Sequence, residues 1–225
     1  SIQNINIDLI YGLPNETAAD FNNSLTETIR LNPTHISLYQ LAIEEKTPFY
    51  LLHQKGELPL PSEEETMQMY ELASEKLKVA NFRHYELQNF SKSGFESIHN
   101  LRYWNLEEFL GFGAGAYSYI NGRRFGNTKN TKQYLDRIRK NNFEAEAGEE
   151  ISFSTKLKEK IILGLRLKDG IDIETFENQG FAIPEAILNQ LNQLVSEGLV
   201  KNQKNKYQLT LKGEHLSESV ATRLV

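Results

Sequence analysis

No cysteine occurs in this 225-residue sequence. Disulfides, thiolate zinc sites, cysteine nucleophiles and cysteine-ligated iron–sulfur clusters are therefore excluded within the chain itself. Tryptophan is almost as scarce, with one residue at position 104, so any role for an indole falls on that side chain. Long apolar runs are missing too. None approaches the roughly 20 residues that cross a bilayer, and the opening Ser1-Ile2-Gln3-Asn4 lacks the basic-then-apolar pattern of a signal peptide. The expectation is a cytoplasmic protein without an integral membrane segment. An excess of positive charge is absent as well: the formal net charge is -5, so the summed field does not draw in phosphate backbones or anionic lipids, local basic patches aside.

What is present suffices for a packed core. Hydrophobic residues make up 39% of the chain, and 12 Phe and 10 Tyr supply large apolar surfaces. In Ile5-Asn6-Ile7-Asp8-Leu9-Ile10 the side chains alternate, which predicts a strand with Ile5, Ile7 and Leu9 on one face and Asn6, Asp8 and Ile10 on the other. Tyr11-Gly12-Leu13-Pro14 breaks it, and Thr17-Ala18-Ala19-Asp20 resembles a capping box for a helix that turns Phe21, Leu25, Ile29 and Leu31 inward. After Asn32-Pro33 the run from His35 to Leu41 predicts a second strand, completing a β-α-β unit with parallel strands. A loop with Pro48, Gly56, Pro59 and Pro61 then leads to Ser62 and an acidic first turn, expected to open a helix reaching about Val79. His84 to Leu87 and Phe109 to Ile120 are predicted strands, the latter closed by Asn121-Gly122 as a type I′ turn.

From about Ser152 the pattern becomes helical, and it ends in the order helix, Gly198, strand, turn at 202 to 205, strand, helix. That order suggests a winged helix. The expected fold class is α/β: a partial (β/α) barrel over residues 1–145, then a smaller helical, winged-helix-like domain over 146–225, with the linker around 141 to 151. A full eight-fold barrel takes about 250 residues, so the N-terminal region supplies only part of one.

Three segments could carry chemistry. Asp8 lies among polar groups near the end of a parallel strand, where a carboxylate can accept from ribose hydroxyls or an amine; it can equally hold a neighbouring loop amide. His99-Asn100-Leu101-Arg102-Tyr103-Trp104 combines an iron-ligating imidazole with rings able to stack on a planar macrocycle, or else a polar loop in which Trp104 plugs the core and His99 caps a helix. Gly111-Phe112-Gly113-Ala114-Gly115 leaves one strand face bare, for close approach of a ligand or of a packed helix. The other histidines show no metal-ligand spacing, and no metal site is expected.

Ile7-Asp8-Leu9-Ile10-Tyr11-Gly12-Leu13-Pro14 with Thr17 resembles the strand-and-loop signature of the oxygen-independent coproporphyrinogen III oxidase-like radical-SAM family. Further stretches recur in that family in the same order: Asn32-Pro33, Ile36 to Leu41, Thr47-Pro48-Phe49, Tyr85-Glu86, Asn89-Phe90, His99-Asn100 and Gly111-Phe112-Gly113. The segment from His99 to Trp104 is similar to the HNxxYW segment of its haem-chaperone branch.

The resemblance implies a parent protein with a [4Fe–4S] cluster on a CxxxCxxC loop and S-adenosylmethionine on its open iron. That loop is absent here, so the chain matches roughly the C-terminal 60% of such a parent and is expected to be inactive in radical chemistry alone. By the same resemblance Asp8 contacts S-adenosylmethionine, Ala42 and Tyr117 pack near it, and His99 takes part in binding haem or porphyrin for transfer to acceptor proteins. An oxidase role in porphyrin biosynthesis is the enzymatic alternative. A nucleic-acid-binding winged helix is a further one, but the expected recognition helix from Pro184 to Ser196 contains no Lys or Arg, and nucleic acid is not an expected partner. Self-association through an exposed barrel edge is expected of a partial barrel.

Overall fold

The computed structural model describes residues 2–142 and 148–224. It forms two compact units, Ser1–Ser97 and Ile98–Val225. The domain boundary expected at 145/146 lies outside the described residues.

In the first unit, β1 (Asn6–Tyr11) is followed by α1 (Ala18–Arg30) and β2 (His35–Gln40). The expected β-α-β unit is present, and β1 pairs with β2 in parallel, Asn6 opposite His35 and Asp8 opposite Ser37. Thr17 caps α1 as its sequence predicts: Thr17 Oγ1 accepts from Asp20 N at 3.2 Å and Asp20 Oδ2 accepts from Thr17 N at 3.1 Å. Phe21 and Leu25 are fully buried, but Leu31 is 69% exposed. It occupies the C-cap, and the chain then turns through Asn32 at φ 57, so Leu31 leaves the buried stripe of the helix.

The stretch expected to be only loop contains a short helix, α2 (Pro48–Gln54), capped by Thr47 with Pro48 in the first turn. It buries no residue, and its apolar residues Phe49, Tyr50, Leu51 and Leu52 are consecutive rather than spaced as a helical stripe. Helix α3 (Glu63–Val79) starts at the expected Ser62 cap and buries Met69 and Leu77. The strands β3 (Arg83–Glu86) and β4 (Asn89–Ser91) complete a sheet of order β1-β2-β4-β3. β4 was not predicted; it inserts antiparallel between β2 and β3. The sheet does not close into a barrel, and β1 and β3 are its edges.

One face of this sheet carries the core. Ile36, Leu38 and Phe90 pack there with Phe21, Leu25 and Met69 from α1 and α3. Alternation puts Asn6, Asp8, His35, Ser37, Asn89 and Ser91 on the opposite, polar face.

The second unit begins with α4 (Ile98–Trp104) and the hairpin β5 (Tyr117–Ile120) and β6 (Arg123–Gly126). Phe109 to Ile120 is not one strand as expected. The chain doubles back, so that Phe109 forms an isolated antiparallel bridge with Tyr119, through a loop in which Gly113 and Gly115 adopt φ of 107° and 75°. The Asn121-Gly122 turn has the positive φ at both positions that a type I′ hairpin needs. Helix α5 (Thr131–Arg139) and β7 (Glu149–Glu150) follow.

The remaining elements run α6 (Phe153–Arg166), β8 (Ile171–Asp172), α7 (Ile173–Asn178), α8 (Glu185–Ser196), β9 (Val200–Gln203), β10 (Lys206–Leu209), α9 (Leu211–His215) and α10 (Ser217–Thr222). Helices α6, α7, α8 and α9 against a three-stranded sheet of order β8-β10-β9 give the expected winged-helix-like arrangement. Its core includes Ile161, Ile171, Leu191 and Leu194, each at most 1% exposed.

Candidate functional site

Asp8 sits in the middle of β1, exposed on the polar face and three residues short of the strand's end. One of its oxygens, Oδ1, accepts from Asn6 Nδ2 at 2.7 Å. The same amide turns its Oδ1 to His35 Nδ1 at 2.6 Å and receives Ser37 Oγ at 3.3 Å. His35 Nε2 lies 2.8 Å from the Tyr85 hydroxyl, whose oxygen accepts from Ser97 N at 3.2 Å. Four strand residues from β1, β2 and β3 thus form one hydrogen-bonded row.

Sequence reasoning picked out Asp8 but missed Asn6, His35 and Tyr85 as its supports. Alternation already put Asn6 on the face of Asp8. The pairing of Asn6 with His35 became visible only through the parallel register, and Tyr85 enters where a register shift between His84 and Glu86 interrupts the β3–β4 ladder. His35 is 6% exposed. Burial lowers its pKa below the ordinary 6.5, against the opposing pull of Asp8 and Glu96. Burial also pushes the Tyr85 phenol up to about 12.

Ala42 is exposed just past the end of β2, where Leu41 N donates to Tyr11 O at 2.9 Å. It shares the C-terminal end of the parallel pair with the loop after β1. That loop is held by Glu16, whose Oε2 accepts from Gly12 N at 2.8 Å and Leu13 N at 3.1 Å; Gly12 adopts φ 79, which favours glycine.

In the second unit, His99 is exposed on α4 with its ring edge-on to Tyr103 at 4.8 Å, and Tyr103 in turn meets Phe109 at 4.5 Å. His99 lies inside the helix and is not its cap. Trp104 is half-buried beneath the Arg166 guanidinium, 4.3 Å from the ring centroid, and its Nε1 is buried without a hydrogen-bond partner among the described residues. It is therefore packed rather than displayed. Tyr117 is 55% exposed at the start of β5, and its ring lies so close over Gly126 that a Cβ there would come within 3.2 Å of it.

The glycine-rich loop is pinned by Asn127 Nδ2, which donates to Gly113 O at 2.9 Å, and by the Tyr134 hydroxyl, which accepts from Gly113 N at 3.0 Å. A Cβ on Gly111 would collide with the Tyr117 carbonyl, whereas one on Gly113 would meet open space, so the close approach that needs glycine is at Gly111, in a loop rather than on a strand face. Phe112 projects from the loop, 85% exposed. Asp8 and Ala42 thus belong to the first unit, and His99 and Tyr117 to the second. Among the described residues no three His, Asp or Glu come together as a metal site, and no helix is long and apolar enough to cross a membrane.

Residues 152–214, from the cap of α6 into α9, match the family model of the HemN C-terminal domain. The heme chaperone HemW of Bacillus subtilis is 37% identical over 219 residues, covering 97% of this chain and 58% of that protein. The HemW of Lactococcus lactis is 36% identical, covering 97% and 57%. The chain belongs to the HemN/HemW family. It spans somewhat under three-fifths of the length of these HemW relatives. Among solved structures, coproporphyrinogen III oxidase (HemN) from Escherichia coli, a radical SAM enzyme, superposes with a TM-score of 0.75 at 22% identity, over 97% of this chain and 54% of that one. The mixed α/β architecture is accordingly shared with that structure.

Proposed function

We propose that the chain is the haem-handling portion of a HemW-like radical-SAM chaperone, which binds haem and passes it to acceptor proteins. The observation that carries this reading is the exposed imidazole of His99, presented on α4 with Tyr103 and Phe109 ranged behind it. A neutral imidazole is a ligand for haem iron, and an edge-to-face row of rings gives the macrocycle an apolar wall. The names of the HemW relatives support the same chemistry. HemN, at 22% identity, supports the fold alone, so the oxidase reading gains nothing further from it.

Asp8, beside the loop after β1, is suited to accept hydrogen bonds from the ribose of S-adenosylmethionine, with Ala42 near the same end of the sheet. Tyr117, in the second unit, is proposed as a cofactor contact on the family resemblance alone. When bound, the cofactor supplies radical chemistry. The cluster that would initiate it needs thiolates, and this chain has no cysteine, so its residues do not fit an iron–sulfur group. What the chain's own residues do is bind and orient: His99 offers its ring nitrogen, Tyr103 restrains that ring, and Asp8 accepts.

The test is a haem titration followed by absorbance, on this protein and on His99→Ala. Saturable binding with an imidazole-ligated Soret band that His99→Ala loses supports the reading; binding that is identical in both overturns the role of His99.

A further inference from the structure

The row from Ser97 to Asp8 has a direction that follows from hydrogen-bond chemistry alone. An ionised carboxylate only accepts, so Asn6 must turn its amide nitrogen to Asp8 and its carbonyl oxygen to His35. His35 Nδ1 must then carry a proton to donate into that oxygen. In a neutral ring this leaves Nε2 as the acceptor, and the Tyr85 hydroxyl donates to it while its own oxygen receives the Ser97 N–H. Each group has one assignment that satisfies both neighbours, and every proton points toward Asp8. Burial of His35 favours the neutral ring that the row requires.

The Asp8 carboxylate is held on one side only. Among the described residues its hydrogen bond is the one from Asn6, to Oδ1, and the side chain is exposed. Asp8 is therefore an acceptor with a fixed orientation and a free second oxygen. We propose that His35 and Asn6 are positioning residues that aim the Asp8 carboxylate at the vicinal hydroxyls of a bound nucleoside, with Tyr85 fixing the tautomer of His35. This rests on the reading of Asp8 as a contact to S-adenosylmethionine.

Such an arrangement acts through bond direction rather than bulk. Gln at position 35 carries a donor and an acceptor on one planar group and can replace the imidazole in the row, whereas Leu fills the space without either. Titration calorimetry with S-adenosylmethionine at pH 7.5 therefore separates positioning from packing. Asp8→Ala and His35→Leu are each expected to weaken binding about tenfold, and His35→Gln by no more than about threefold, since a hydrogen bond to a charged group typically contributes that much.

If Asp8→Ala weakens binding but His35→Leu does not, the inference is overturned and the reading of Asp8 stands. Equal losses in His35→Leu and His35→Gln also overturn it, because direction then plays no part. If Asp8→Ala has no effect, or the unsubstituted protein does not bind, the reading of Asp8 falls and the inference with it. Where His35→Leu does not fold, Tyr85→Phe decides: an affinity about threefold weaker is expected from loss of one neutral hydrogen bond, and an unchanged affinity overturns the proposal.

Discussion

His35 and Asn6 face each other across the parallel β1–β2 register, with the ring Nδ1 2.6 Å from the amide oxygen. Because Asn6 also donates to Asp8, the proton of a neutral His35 belongs on Nδ1. Long-range nitrogen–proton NMR is expected to show the Nδ1–H tautomer at pH 7.5, and Asn6→Ala should release it toward the mixture of a free imidazole.

The same histidine makes a contribution to stability that depends on pH. Its folded pKa lies below the ordinary 6.5, so the unfolded chain binds the proton first as pH falls. The contribution is complete above pH 6.5 and declines as pH drops below it toward the folded value. Asp8 and Glu96, which pull the other way, limit the slope. Urea midpoints measured from pH 8 to pH 5 are expected to fall less steeply in His35→Gln than in the unsubstituted protein.

Loss of the Thr17 cap should be felt in the first unit. Thr17→Ala removes the hydroxyl half of the reciprocal cap, the acceptor for Asp20 N, while the Thr17 N–H can still donate to Asp20 Oδ2; it is expected to cost about 1 kcal/mol, Thr17→Gly only a few tenths. Denaturant unfolding followed by circular dichroism reads the difference.

Gly111→Ala tests close packing beside the projecting Phe112. Its Cβ would meet the Tyr117 carbonyl, and the expected destabilisation is about 1–3 kcal/mol, the usual scale for overpacking. Gly94→Ala, at a φ of 84° but with open space around it, is expected to cost less, through backbone strain alone, of about 1 kcal/mol. Differential scanning calorimetry on the two variants checks the order.

Trp104 is the sole indole and shares α4 with His99. Haem bound at His99 is expected to quench its emission through energy transfer. The quenching should vanish in His99→Ala, while Arg166→Met shifts the emission without abolishing the quenching.

Elements with strong local signals were legible in the sequence. The Thr17 and Ser62 caps, the Asn121-Gly122 turn and the order of the winged helix each depend on residues near in sequence. The parts that were not legible depend on distant partners. β4 is three residues long, too short for a period to register. The strand expected from Phe109 became a bridge because Gly113 and Gly115 bend the chain back. For the candidate site, Asp8 could be singled out by type and position. His35 could not, because nothing local distinguishes a strand histidine that packs from one that directs a neighbour's carboxylate.

The insertion of β4 between β2 and β3 bears on how the chain reaches its native state. Ser91 must find His35 across the length of chain that holds α2 and α3, whereas β9 and β10 meet through a two-residue turn at Lys204-Asn205. Loop closure over the longer distance is the slower search. After dilution from denaturant, amide protons of the β9–β10 hairpin are expected to gain protection before those of β2, leaving the row around Asp8 among the last features to assemble.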